Sequence, residues 1–224
     1  MNWFNTKAGK NLLQFEKVVI NKFVQQKFGY YAVQLSAGEV NFLEHSKIKS
    51  HFFTYGKAQS IELLEESLPF DSSSVDLIIA SHIFEKINDT QTLVDELFRV
   101  ILPGGYVIIS TFNPISFAGA RSFFGFDNYF PWNASFLSMR KLQGQLIDAG
   151  FSVTEAKVSF YQPLFLDHKP FFNKTWESFG DRWFPFLGNI YFIVVQKKVP
   201  GLIPIKPKWR KIKQSIVVAN KKYD

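Results

Sequence analysis

Apolar positions recur at three- and four-residue steps near the start of the chain, where Leu12, Phe15, Val19 and Phe23 share one stripe. Gly29 suits the position just past a helix end, so the spacing predicts a helix over 8–28. The pattern then changes to short apolar runs. YYAVQL (30–35) reads as a buried strand and leads into the small-residue stretch SAGEV (36–40). A short helical piece near 39–46 is expected next, then strands at HFFTY (51–55) and IELL (61–64). VDLIIA (75–80) has the unbroken β-type character of a strand covered on both faces of a parallel sheet. Asn88 and Asp89 suit the cap of a helix whose Leu93, Leu97, Val100 and Ile101 fall on one side. Pro103 stops that helix, Gly104–Gly105 turns the chain, and YVIIST (106–111) begins a new strand. A strand–helix–strand crossover is therefore complete between 75 and 111. A helix over 136–149, then FSVTEAKVSF (151–160) and IYFIVVQ (190–196), continue the alternation. The implied class is α/β with a mostly parallel sheet.

Composition narrows the chemistry. The 224 residues are 46% hydrophobic and 20% charged, enough apolar material for one full core, which excludes wholesale disorder. There is no cysteine, which removes disulfides, thiolate nucleophiles and thiolate-held metals. Histidines 45, 51, 82 and 168 lack metal-ligand spacing, so no metal is expected. Residues 100–120 are uncharged, but Pro103, Gly104, Gly105, Asn113 and Pro114 interrupt them, so they are not a transmembrane helix. MNWFNTKAGK has no apolar core of a signal peptide. A soluble, cytoplasmic protein is the expectation. The net charge is +7, yet residues 197–224 carry nine Lys/Arg against the single acid Asp224, while the first 196 residues are close to neutral. The chain therefore divides into a domain over 1–198, with its core over 30–160, and a basic tail over 199–224.

The segment LPFDSSSVDLIIASHIFEKINDTQTLVDELFRVILPGGYVIISTFNP (68–114) resembles the class I S-adenosylmethionine-dependent methyltransferases, specifically the methyltransferase type 11 group. That group has an LPF segment, an S-x-D-L strand, an H-x-L-E-like turn and an E-x-x-R-V-L-x-P-G-G helix end in this order. FNP (112–114), PW (131–132), FY (160–161) and RWFPFLGNIYF (182–192) resemble a bacterial subgroup of it, and the likeness spans roughly 3–210. The resemblance implies a Rossmann-like sheet of seven strands in the order 3-2-1-4-5-7-6, with an antiparallel last strand and helices on both faces. It also implies S-adenosylmethionine as cofactor. The link from 55 to 61 is too short for a helical crossover, so the strand-3 edge is expected to be remodelled. Ligands in such sheets sit outside the carboxyl ends of the strands where the order reverses, which brings the loops Ser36–Val40 and Ser81–Glu85 together.

The family's first strand ends in an acid followed by G-x-G-x-G. Here the same stretch reads Gln34, Leu35, Ser36, Ala37, Gly38, Glu39, Val40. The resemblance assigns cofactor contacts to Gln34, Ser36, Gly38, Ser81 and His82, with Gly38 allowing close backbone approach. Tyr55 stands where a ribose-binding acid is usual, and Glu65 and Glu66 are candidate replacements. Each has a plainer reading: Gly38 as a simple turn, Glu65 and Glu66 as solvated charges.

His82 is the candidate general base, or else a residue that orders its loop. Asn113 and Trp132 are candidate acceptor contacts, although Asn before Pro is also ordinary turn chemistry. Phe112, Phe117, Phe123, Phe124, Tyr129 and their neighbours make 112–136 an aromatic insertion, suited either to an apolar or aromatic acceptor or to packing on the body. Three functions stand: methyl transfer to a small acceptor, a pseudoenzyme with an eroded cofactor loop, and a binding module. In the last, the basic tail contacts RNA or an anionic membrane. A nicotinamide dehydrogenase is disfavoured, because no G-x-G-x-x-G follows a strand.

Overall fold

Alternating side chains decide how the central strands are covered. In β3 (Val75–Ser81), Leu77 and Ile79 face one layer, while Ile78 and Ala80 face the other. The computed structural model describes residues 3–53, 67–116, 118–120, 136–161, 182–184 and 186–198. Within them, β1 (Tyr31–Ser36), β2 (Ser50–Phe53), β3, β4 (Ile101–Phe112), β5 (Phe151–Ser159) and β6 (Ile190–Lys197) form one sheet ordered β2-β1-β3-β4-β6-β5. The first four strands are parallel, and β6 runs antiparallel to both β4 and β5. This is the expected order without its third strand; 61–64 lies outside the described residues.

Helix α1 (Lys7–Val24) covers the first face. Its buried Leu12, Leu13, Glu16, Ile20 and Val24 follow the helical repeat, and Thr6 caps its start by accepting from Gly9 N at 3.2 Å. The helix stops at Val24 rather than reaching 28. Helices α2 (Thr90–Val100) and α3 (Met139–Asp148) cover the second face. Asp89 caps α2 through Gln91 N and Thr92 N, and Ser138 caps α3 through Lys141 N. Each fully buried Leu, Ile or Phe in these layers contributes roughly 1.5–3 kcal/mol relative to exposure.

Two elements depart from the apolar pattern. No helix forms over 39–46. Instead the Gln34 amide donates to Val40 O at 2.6 Å and accepts from Phe42 N at 2.9 Å, holding that loop against the sheet. Strand β4 begins at Ile101, directly after α2, and carries Pro103–Gly105 inside a register irregularity between the Val75↔Ile101 and Leu77↔Tyr106 pairs. No helix among the described residues is long and apolar enough to cross a membrane.

Candidate functional site

Parallel pairing aligns three small polar residues at the carboxyl ends of adjacent strands. Ser36 of β1 pairs with Ser81 of β3, which pairs with Ser110 of β4. Strand alternation turns this row toward α1, on the same side as Leu77, Ile79 and Ile108. Glu16 projects from the buried stripe of α1 over the row, with its Oε2 3.5 Å from Ser81 Oγ.

His82 follows the row directly, in a left-handed conformation (φ 53°) that a non-glycine residue adopts at a cost of about 1–3 kcal/mol. Its backbone N–H donates to Ser110 O at 2.9 Å, and Ala37 N donates to Ser81 O at 3.1 Å, tying both loops to the sheet. The ring is fully buried between Phe4, at 5.1 Å, and Phe112, at 4.3 Å. Nδ1 donates to Glu85 Oε1 at 3.0 Å. Nε2 stands 3.1 Å from Glu16 Oε1 in an ion-pair contact. Burial disfavours the charged ring, but the two carboxylates overcome it and raise the His82 pKa to about 10. Glu85 is penalised by burial, yet the imidazolium and donors from Thr111 Oγ1 and Phe112 N hold its pKa below the usual carboxylate value.

The dry cluster therefore sets one imidazolium against two carboxylates, with exposed Lys86 near Glu85 at its edge. Glu85 Oε2 and Ser110 Oγ are buried without a hydrogen-bond partner, and Glu16 Oε1 faces His82 Nε2.

The N-terminal turn Trp3–Asn5 roofs this cluster. Thr6 Oγ1 donates to Trp3 O at 2.7 Å, fixing the turn to the start of α1. Two glycines make its seat. A Cβ on Gly9 would lie 2.5 Å from Trp3 O and 2.6 Å from Phe4 Cα. One on Gly38 would lie 2.6 Å from Leu13 Cδ1 and 3.3 Å from Phe4 Cγ.

The structure brings Gln34, Ser36, Gly38, Ser81 and His82 together, although Gln34 spends its amide on the 40–42 backbone and Ser36 Oγ donates to Gly38 O. Both ring nitrogens of His82 face carboxylates, Nδ1 that of Glu85 and Nε2 that of Glu16. Asn113 is likewise committed: Nδ2 donates to Phe186 O and Gly188 O, both at 2.8 Å, and Oδ1 accepts from Ile115 N. Tyr55, Glu65, Glu66 and Trp132 lie outside the described residues. Glu16, Phe4 and Ser110 were not among the sequence candidates. Glu16 did leave a signal, a carboxylate between Leu12 and Ile20 in an apolar stripe. Among the described residues no group of three or more His, Asp or Glu has a metal-holding arrangement. A cavity of about 500 Å³ beside Tyr31, Phe52 and Phe70 opens at the amino ends of β1 and β3, the opposite end from this cluster.

The model of the methyltransferase domain family matches residues 18–109. The matched span carries β1, the Ser36–Val40 loop, β3, the His82 loop and most of β4. Residues 18–109 of this chain therefore match a methyltransferase domain. The chain is 23% identical over 201 residues to the uncharacterised Escherichia coli protein YafS, covering 88% of this chain and 80% of that one. It is 32% identical over 94 residues to a Mycolicibacterium smegmatis protein named "Probable S-adenosylmethionine-dependent methyltransferase", but spans only 35% of that protein against 42% of itself. A solved S-adenosylmethionine-dependent methyltransferase of Thermotoga maritima shares its fold, with a TM-score of 0.59 at 18% identity over 83% of this chain and 90% of that one.

S-adenosylmethionine is the cofactor that this family and fold imply. Its methionine end carries a sulfonium and an ammonium against one carboxylate. The buried cluster fits that end in charge, with two carboxylates facing one imidazole and with the Ser110 hydroxyl lacking a hydrogen-bond partner.

Proposed function

We propose that this methyltransferase acts on a small apolar or aromatic acceptor whose nucleophilic atom is already unprotonated at neutral pH, such as a carboxylate. The observation that carries the reading is the locked His82. Its two ring nitrogens face Glu85 and Glu16, and its pKa is raised to about 10, so it holds its proton where a general base would accept one.

Bound S-adenosylmethionine supplies a methyl group already activated on a sulfonium, which leaves alignment and exclusion of water to the protein. Ser36, Gly38 and Ser81 would hold the cofactor where β1 and β3 end, with Glu16 facing its cationic portion. His82 is then a positioning residue. It pins the 81–85 loop to Glu85, and Glu85 is pinned in turn to Thr111 and Phe112 at the end of β4.

The apolar preference for the acceptor is supported by the rings at that end of the sheet. Phe112 stacks on Phe136 at 5.0 Å and meets Trp3 edge-on at 6.0 Å, while Ile115, Phe184 and Phe186 are exposed nearby. The Asn113 amide joins the 113–115 and 186–188 backbones into one rim. The pseudoenzyme reading draws on Phe4 and Leu13, which pack against Gly38 on the cofactor side.

The test is transfer of a labelled methyl group to a panel of aromatic and aliphatic carboxylates, phenols, amines and alcohols. Turnover confined to the carboxylates, with kcat/KM flat from pH 6 to 9, supports the reading. Preferred turnover of amines or alcohols, or a rise in rate with a neutral pKa, would overturn it. Binding without turnover of any acceptor would favour the pseudoenzyme.

A further inference from the structure

We propose that the amino ends of the parallel strands form a docking surface for an anionic lipid membrane, with Phe28 and Tyr30 entering the headgroup layer and the lysines around them meeting its phosphates. Docking is independent of the methyltransferase reading; it adds an orientation to it.

The loop between α1 and β1 carries the first observation. Phe28 is 70% exposed and Tyr30 is 80% exposed, on either side of Gly29. The loop that displays them is anchored. The Asp76 carboxylate accepts from Tyr30 N at 2.8 Å and from Tyr31 N at 3.0 Å, and a Cβ on Gly29 would lie 2.3 Å from Asp76 Cγ. Tyr31, the next residue, walls the cavity of about 500 Å³ together with Phe52 and Phe70, so the apolar surface runs on past the loop. A contiguous patch of exposed rings marks an interaction surface, where a single exposed ring would not.

The second observation is charge. Lys47 Nζ lies 4.4 Å over the Phe28 ring, and Lys27 Nζ lies 3.5 Å over the Tyr106 ring. Lys49 precedes Ser50, the register partner of Tyr31, and Lys22 stands in the last turn of α1. The acids facing these four lysines are Asp76, which is spent on the loop backbone, and Glu155, which acts on Lys27. Asp71, on the cavity wall, faces Arg99 instead. An ammonium on a long apolar stem beside a ring places charge at the phosphates while the ring enters the interface. The cations around the loop are lysines, point charges without the planar fork that arginine brings to a nucleic-acid backbone.

The third is the place where the basic tail leaves the sheet. Because β6 is antiparallel to β4, its last residues lie at the amino ends of the parallel strands: Gln196 pairs with Tyr106, whose ring carries Lys27. Residues 199–224 follow from there with seven further Lys/Arg and with Trp209. Two weak contacts tethered to one pole reinforce each other on one surface.

The orientation has a consequence for the site. The Ser36, Ser81 and Ser110 row lies at the other end of the same strands. Strand β3 is seven residues long, a span of roughly 20 Å. Docking by the amino ends therefore holds that row away from the lipid and open to water, which suits a dissolved carboxylate acceptor.

The test is co-sedimentation of the full chain with vesicles of phosphatidylcholine alone and of phosphatidylcholine mixed with phosphatidylglycerol. Wild type should bind the mixed vesicles, bind the neutral ones more weakly, and be released by salt. Phe28→Ser combined with Tyr30→Ser should lower binding about tenfold at an unchanged melting temperature, since both rings are exposed. Lys47→Gln should lower it about fivefold. Equal binding by the ring variant and wild type would overturn the proposal and leave the tail as the contact. Depth is read separately with brominated lipid. Phe28→Trp should gain tryptophan quenching over wild type, and Ile115→Trp, exposed just past the opposite end of β4, should not. The reverse pattern would overturn the orientation by putting the rim of the site on the lipid. Failure of wild type to bind the mixed vesicles overturns docking outright; retention on polyuridylic acid that the ring variant loses would then assign the surface to a nucleic acid.

Discussion

His82 concentrates the physics of this protein in one side chain. It is fully buried, left-handed in its backbone, clamped between two aromatic rings and charged by two carboxylates. Its folded pKa of about 10 lies above the ordinary imidazole value of 6.5, so its stabilisation is full below 6.5 and is lost as pH rises through about 10. Glu85 is shifted the other way, so its contribution is full above the ordinary carboxylate value of 4.5 and is lost in acid. The cluster therefore stabilises most between 4.5 and 6.5. Thermal melts should show wild type losing stability from pH 6.5 to 10 more steeply than His82→Gln; parallel curves would contradict the charged assignment. At neutral pH His82→Gln should cost about 3–5 kcal/mol in urea titration, because Glu16 and Glu85 lose their shared cation. Asn113→Ala should cost about 1–3 kcal/mol by the same measurement, since the Phe186 and Gly188 carbonyls lose their donor. His82 was visible in the sequence as the polar residue after an apolar strand. Its partner Glu16, 66 positions earlier, was visible only as an interruption of a helical stripe, with nothing local to say what it faced.

At the level of elements, caps and notches carry the information. Asp89 accepts from two backbone N–H groups and from the Thr92 hydroxyl at the head of α2, and Asp89→Ala should lower stability by about 1 kcal/mol. Gly9 acts on packing between elements instead. Gly9→Ala pushes a Cβ into the backbone at Trp3 and Phe4, and should cost about 1–3 kcal/mol while lifting the N-terminal turn. Because Trp3 is buried, acrylamide should quench more of the tryptophan fluorescence in that variant than in wild type. Equal quenching would show the turn seated despite the added methyl. Most elements were legible from periodicity, since α1, α2, β3 and β6 each bury a regular apolar pattern. The predicted helix at 39–46 was not, because a buried Gln34 amide competes for the Val40 and Phe42 backbone groups and holds them in a loop.

Over the whole molecule, the sheet ends at Lys197, whose ammonium donates to Phe98 O at 2.7 Å and Ile101 O at 2.9 Å. A chain ending after Lys198 keeps that anchor and lowers the net charge from +7 to +1. We propose that the tail is an electrostatic docking segment for anionic surfaces. Wild type should be retained on anionic vesicles or RNA in a salt-sensitive way, and the shortened chain should lose that retention while melting within a few degrees of wild type. Retention equal to wild type at every salt concentration would reject docking.

The amino-acid sequence by itself determined the alternation of strands and helices and the α/β class, because each rests on local periodicity, caps and turns read within a few residues. Tertiary structure alone decided the site. Strand register put Ser36, Ser81 and Ser110 side by side, and helix packing laid Glu16 over them. Two glycines far apart in the chain made the seat for Phe4. The protonation of His82 followed from the same assembly, since its charge is set by carboxylates that only the folded chain brings within 3.1 Å and excludes from water.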